Sequence, residues 1–164
     1  MTKFLLGVAI IAFTTFCGYL LTKKYRRRKL FFAQLYSFNE WFLNEIAYYR
    51  RPIIEFTANF SYRGEFEILM NDYFSSVNDF QTEFIRRLDE DTYDFLKTDE
   101  KRTITDYFSM LGKGDSQSQK GYFSSIKDTL LKRQNETDAE NKKFSDLYIK
   151  LGFLCGLFIL ILII

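Results

Sequence analysis

Two uncharged apolar runs, one near each end, limit what this chain can fold into more than any other feature. Phe4 to Thr22 (FLLGVAIIAFTTFCGYLLT) is nineteen residues without a charge. As a helix it extends roughly 28 Å, close to the hydrocarbon thickness of a bilayer, and it predicts a transmembrane helix over 4–22. A cleaved signal peptide would carry positive charge ahead of its apolar stretch and a small-x-small site behind it. Here Lys3 alone precedes the run and six cations follow it. Bulky Phe16 also stands where lipidation of Cys17 would need a small residue. At the other end, Leu151 to Ile164 (LGFLCGLFILILII) holds fourteen uncharged residues, about 21 Å of helix. Counting back to Tyr148 adds Lys150 as the single interruption, and a lysine at that depth reaches the headgroups with its ammonium. The run is apolar on every face, without the polar side of an interfacial helix, so it too is expected to span.

The cations set an expected orientation. Lys23, Lys24, Arg26, Arg27, Arg28 and Lys29 follow the first run, and Lys142, Lys143 and Lys150 precede the second. The positive-inside rule then predicts a cytoplasmic domain over 23–150 with both termini on the opposite side. The six clustered cations read as a topology signal in contact with lipid headgroups. Residues 30–150 alone carry 16 basic and 21 acidic side chains, so the body is mildly acidic and no nucleic-acid partner is expected. The chain has no histidine and two cysteines. That removes Ser-His and Cys-His nucleophiles, His-ligated zinc, four-thiolate sites and a disulfide framework. Cys17 and Cys155 read as small hydrophobes inside the apolar runs.

Between the runs, apolar residues recur at three and four, the helical period. Phe31, Leu35, Phe38, Phe42, Ile46 and Tyr49 form one stripe that continues the first span. Pro52 marks a break, and a short second helix carries Ile53, Thr57 and Phe60. Beyond Gly64 a third helix places Phe66, Leu69, Met70, Tyr73 and Phe74 on one face. Asn78 with Gln81 reads as an N-cap and its partner, opening a fourth helix through Phe80, Phe84 and Leu88 that Asp89 to Asp91 close. A fifth begins near Thr98, where Asp99 and Glu100 suit the helix dipole. It uses Ile104, Tyr107, Phe108 and Leu111 before Gly112-Lys113-Gly114-Asp115 stops it. Ser116 with Gln119 repeats the capping-box pattern and starts a long helix through Tyr122, Ile126 and Leu130. Lys132 to Lys143 (KRQNETDAENKK) is polar apart from Ala139, and is either a solvated helix or a flexible joint. The expected fold is all-α, a cytoplasmic bundle of about six helices flanked by two transmembrane helices.

Little chemistry is available to this chain. Gly112-Lys113 lacks the glycine five residues earlier and the following Ser or Thr of a phosphate loop, since Tyr107 and Gly114 hold those places. Asp89, Glu90, Asp91 and Asp94 cluster without an EF-hand pattern and read as a solvated turn. The nineteen phenylalanines and eleven tyrosines, at helical spacing, read as core. No catalytic residue, metal or cofactor is expected. Two turns are expected at the membrane-distal end of the bundle, where they either solvate the chain reversal or dock a basic partner. Their residues are Asp89, Glu90, Asp91 and Asp94 in one, and Gly112, Lys113, Gly114 and Asp115 in the other. Thr14 with Gly18, and Gly152 with Gly156, are small-x-x-x-small pairs that admit close helix approach in lipid. A homo-oligomer is among the arrangements they allow.

Several of these features occur together in one known family. A span followed by a basic run, Glu45-Ile46-x-Tyr48 ahead of Pro52, Leu111-Gly112-Lys113-Gly114-Asp115 with Gln119, and Lys150-Leu151-Gly152 entering a C-terminal span resemble the stage III sporulation protein AB family of endospore-forming bacteria. The resemblance covers nearly the whole chain. It implies a scaffold within the channel apparatus between mother cell and forespore, set in the mother-cell membrane around the forespore. It also implies a domain similar to the helical domains of type II secretion inner-membrane platform proteins. The partners it implies are a secretion-type ATPase of the same operon and other channel components, and it supplies no catalytic residues. A membrane-tethered helical adaptor unrelated to sporulation would share the layout and lack the ATPase.

Overall fold

The computed structural model describes residues 2–48, 60–75, 84–89, 91–113 and 115–163. They form α1 (Thr2–Tyr48), α2 (Glu65–Ser75), α3 (Ile85–Leu88), a 3₁₀ turn (Asp91–Tyr93), α4 (Thr98–Met110) and α5 (Ser116–Ile163), with no strand among them. Every regular element among the described residues is a helix, as the periodicity predicts. Tyr49, Pro52, the helix expected around Ile53 and Thr57, and the Asn78–Gln81 cap lie outside the described residues. The chain divides into two compact units, Met1–Lys29 with Glu136–Ile164, and Leu30–Asn135. Helices α1 and α5, of 47 and 48 residues, each contribute to both. The single proline, Pro52, lies beyond α1, so neither long helix loses a backbone hydrogen bond to it. The polar Lys132 to Lys143 stretch belongs to α5, so of its two readings the helix holds and the flexible joint does not.

The core of the Leu30–Asn135 unit is aromatic. Phe31, Leu35, Phe38 and Phe42 of α1 are buried against Phe66, Leu69 and Met70 of α2, and against Ile104, Tyr107 and Phe108 of α4. Phe123 and Leu130 of α5 close the core, with Tyr122 and Ile126 half-buried beside them. The rings meet edge to face: Phe42 and Phe123 at 4.8 Å, Tyr107 and Phe123 at 5.0 Å, Phe31 and Phe66 at 5.6 Å. Each such pair contributes about 0.5–1.5 kcal/mol beyond its buried area. Tyr93, Phe95 and Leu96 are buried as well, although they come from the short 3₁₀ turn and the loop after it, where no helical period announces them.

Backbone conformation explains where the elements stop. Gly64 sits at φ +60° with open space around its Cα. Its carbonyl accepts from the Glu67 and Ile68 amides at 3.1 and 3.3 Å, so glycine is required there by conformation rather than by room. Gly112, at φ +77° just past α4, is the left-handed stop. At the start of α4 the Glu100 carboxylate accepts from the Lys97 amide at 2.9 Å. The cap of α5 differs from the expected Ser116–Gln119 box. The Asp115 carboxylate accepts from the Ser118 amide at 2.7 Å, while the Gln119 side-chain amide turns back to the Lys113 carbonyl. A charged carboxylate one residue earlier satisfies the third amide of the helix and meets the positive end of its dipole. That amide accordingly holds the Asp115 carboxyl below its ordinary range.

Candidate functional site

Within the Met1–Lys29 and Glu136–Ile164 unit, α1 and α5 run antiparallel, and their closest approach is built from residues with almost no side chain. A Cβ on Gly152 would lie 2.6 Å from the Thr14 carbonyl and 3.1 Å from the Thr15 Cα. One on Gly156 would lie 2.8 Å from the Ile11 Cα, and one on Gly18 would collide with the Tyr148 carbonyl. All four small residues singled out from the spacing, Thr14, Gly18, Gly152 and Gly156, therefore face one another across a single contact inside one chain. Gly7, where a Cβ would strike the Leu160 side chain, extends the contact and belongs to no small-x-x-x-small pair. The Thr14 hydroxyl donates to its own helix, to the Ile10 and Ile11 carbonyls at 3.0 and 3.1 Å, so no unsatisfied donor enters the contact.

The outward face of this pair is apolar and bare. Phe13, Leu21, Phe158, Ile161 and Leu162 are between 60% and 74% exposed. Only 17% of the most apolar stretch of α1 and 6% of that of α5 are buried inside the molecule. A core helix of a soluble protein hides such residues, whereas a bilayer accommodates them. Both helices are long and apolar enough to cross a membrane.

Beyond the apolar stretches the pairing continues through aromatic and charged residues. Tyr25 stacks on Phe144 at 4.6 Å. Arg28, which is buried, pairs with Glu140. Lys29 pairs with Asp138 at 2.6 Å, and Lys142 pairs with the same carboxylate at 2.7 Å. Lys142 and then Lys29 hold the Asp138 carboxyl below its ordinary range. The six-cation run is thus divided: Arg28 and Lys29 join the two helices, while Lys23, Lys24 and Arg26 are exposed and Arg27 is half-buried. The polar stretch of α5 supplies the complementary acids, a pairing that only tertiary structure brings about.

The two candidate docking turns do not come together. Asp89, exposed and 3.5 Å from Lys101, and exposed Asp91 and Asp94 lie toward the start of α4. There Phe95 packs on Phe31, and Asp99 pairs with Arg133. Exposed Gly112, Lys113 and Asp115 lie past the other end of α4, about 20 Å of helix away. Glu90 and Gly114 are outside the described residues. The two turns thus lie at opposite ends of α4 rather than side by side. Chemically the turns offer charge and little else, and the described residues contain no group of three His, Cys, Asp or Glu able to hold a metal.

One buried polar arrangement escapes any reading of the sequence. Fully buried Asn39 donates to the Phe123 carbonyl at 3.2 Å and accepts from the Tyr107 hydroxyl at 3.2 Å, tying α1, α4 and α5 together. Asn39 stands on the apolar face of α1, four residues after Leu35 and three before Phe42, but the partners it meets are set only by the packing of α4 and α5. Searches of curated proteins and of solved structures return no significant match to the chain. The family model for stage III sporulation protein AB matches residues 3–164, nearly the whole chain, and the chain therefore belongs to that family, which implies a role in sporulation.

Proposed function

We propose that the chain is a non-enzymatic membrane scaffold of the mother cell-forespore channel apparatus, presenting its Leu30–Asn135 unit in the cytoplasm to a secretion-type ATPase. The observation that carries this reading is the division of character between the two units. The paired ends hold ten basic and four acidic side chains beneath an exposed apolar face, while Leu30–Asn135 holds thirteen basic and seventeen acidic ones around an aromatic core. The first is suited to anchoring, the second to contact with protein. Family membership favours this over an adaptor unrelated to sporulation.

Co-purification of the full chain with the ATPase in mild detergent tests the proposal. Because the acidic turn and the Gly112–Asp115 turn lie at opposite ends of α4, two variants separate them: the triple reversal Asp89→Lys, Glu90→Lys, Asp91→Lys, and the reversal Lys113→Glu. Docking through one turn weakens the complex in one variant only, with an effect that shrinks as salt rises. The chain by itself is expected neither to bind nor to hydrolyse ATP. No complex with the wild-type chain at low salt, or stoichiometric ATP binding by the chain alone, ends this reading.

A further inference from the structure

The cations that follow the first apolar run face two different environments. Taking Tyr25 as the direction toward α5, helical geometry places Thr22, Arg28 and Lys29 within about 60° of it, and Lys23, Lys24 and Arg26 at about 100° or more. Contacts agree, since Thr22 and Arg28 are buried, Tyr25 stacks on Phe144, and Lys29 pairs with Asp138. Lys23, Lys24 and Arg26 are exposed and meet no acidic partner among the described residues. On α5 at the same level, exposed Lys143 lies 5.6 Å from the centroid of the Phe144 ring. Four cations therefore point outward from the Tyr25–Phe144 level. Directly beside them are exposed apolar side chains, Leu20 and Leu21 on α1 and Leu147 and Leu151 on α5.

We propose that Lys23, Lys24, Arg26 and Lys143 form a binding surface for the headgroups of anionic phospholipids. Uncompensated positive charge over bare hydrocarbon matches a lipid whose phosphate and acyl chains are joined, and an acidic protein would leave the apolar half of the surface uncovered. Anionic lipid also relieves the repulsion among cations within a single helical turn. The inference rests on the membrane-spanning reading of α1 and α5. Each cation near an anionic surface contributes about fivefold in affinity, so the set should discriminate clearly between charged and zwitterionic lipid.

The test uses the full chain in phosphatidylcholine vesicles with trace spin-labelled phosphatidylglycerol or spin-labelled phosphatidylcholine. The motionally restricted fraction is read by electron paramagnetic resonance, and insertion is checked separately by flotation at alkaline pH. Wild type is expected to restrict phosphatidylglycerol several-fold more than phosphatidylcholine. The variant Lys23→Gln, Lys24→Gln, Arg26→Gln, Lys143→Gln is expected to insert equally and lose the preference. A control that removes two exposed charges elsewhere, Arg102→Gln with Lys120→Gln, should keep it. Equal restriction of the two lipids by wild type, or a preference that survives in the quadruple variant, overturns the proposal. Loss of preference on adding glycerol phosphate would make the surface a site for free phosphate and overturn it equally. A wild-type chain that fails to float sinks the spanning reading itself, an outcome distinct from insertion without selectivity.

Discussion

Asn39 shows how much one residue can hold in this fold. Its side chain satisfies the Tyr107 hydroxyl and shares the Phe123 carbonyl inside an otherwise aromatic core. Replacing Asn39 with Ala leaves that hydroxyl buried without its acceptor, a cost of about 1–3 kcal/mol. Tyr107→Phe should cost a similar amount and the double variant less than the sum, because the second change removes the group that the first one stranded. Denaturation followed by the single tryptophan, Trp41 in the same unit, measures the cycle; strict additivity would show that the two side chains are uncoupled. Burial also governs tyrosine ionisation. The apolar surroundings of Tyr73 push its phenol from 10.0 up to about 12, and burial raises Tyr62, Tyr93 and Tyr107 too. With the folded value raised, the contribution of Tyr73 is complete below pH 10, where the unfolded phenol begins to ionise, and is lost as pH rises toward 12. Alkaline loss of helicity should therefore coincide with late phenolate absorbance. If all eleven tyrosines titrate near pH 10 with helicity intact, these rings are not buried as described.

At the scale of elements, the helix pair depends on absent side chains. Gly152→Leu with Gly156→Leu raises hydrophobicity, so insertion is retained, yet it places side chains against the Thr14 carbonyl and the Ile11 backbone. The helices must separate, and a crosslink between cysteines placed at facing positions of α1 and α5 should fall several-fold. An unchanged crosslinking yield would show that the contact is dispensable. The legibility of the elements follows their length. Helix α4 is readable from Ile104, Tyr107, Phe108 and Leu111 because every turn repeats the signal. The stretch holding Tyr93, Phe95 and Leu96 repeats nothing; it is buried by partners distant in sequence, Phe95 against Phe31 of α1, while the Tyr93 hydroxyl donates to Asp72 of α2 at 3.3 Å. At the start of α5 two caps compete one residue apart, and the carboxylate of Asp115 prevails over the hydroxyl of Ser116.

For the whole molecule, the expected topology puts the Leu30–Asn135 unit in the cytoplasm with both termini across the membrane. With Cys17 and Cys155, both free and exposed, replaced by Ala, single cysteines at Ser118 or Lys113 should resist an impermeant thiol reagent in intact cells and react after lysis. Labelling before lysis reverses the assigned orientation.

The all-helical class, the two apolar ends, the core stripes of α1, α2 and α4, and the small residues suited to close approach are all legible in the linear chain. Each depends on short-range periodicity or on composition, which need no knowledge of what lies opposite. Other features were decided in three dimensions: the pairing of Thr14 and Gly18 with Gly152 and Gly156, the division of similar cations into internal partners of Glu140 and Asp138 (Arg28 and Lys29) and exposed charges (Lys23, Lys24 and Arg26), the Asn39 clamp, and the separation of the two turns to opposite ends of α4. Each joins residues tens to more than a hundred positions apart, or depends on which ends of the helices meet. Periodicity specifies which face of a helix is buried, but only packing specifies what it is buried against.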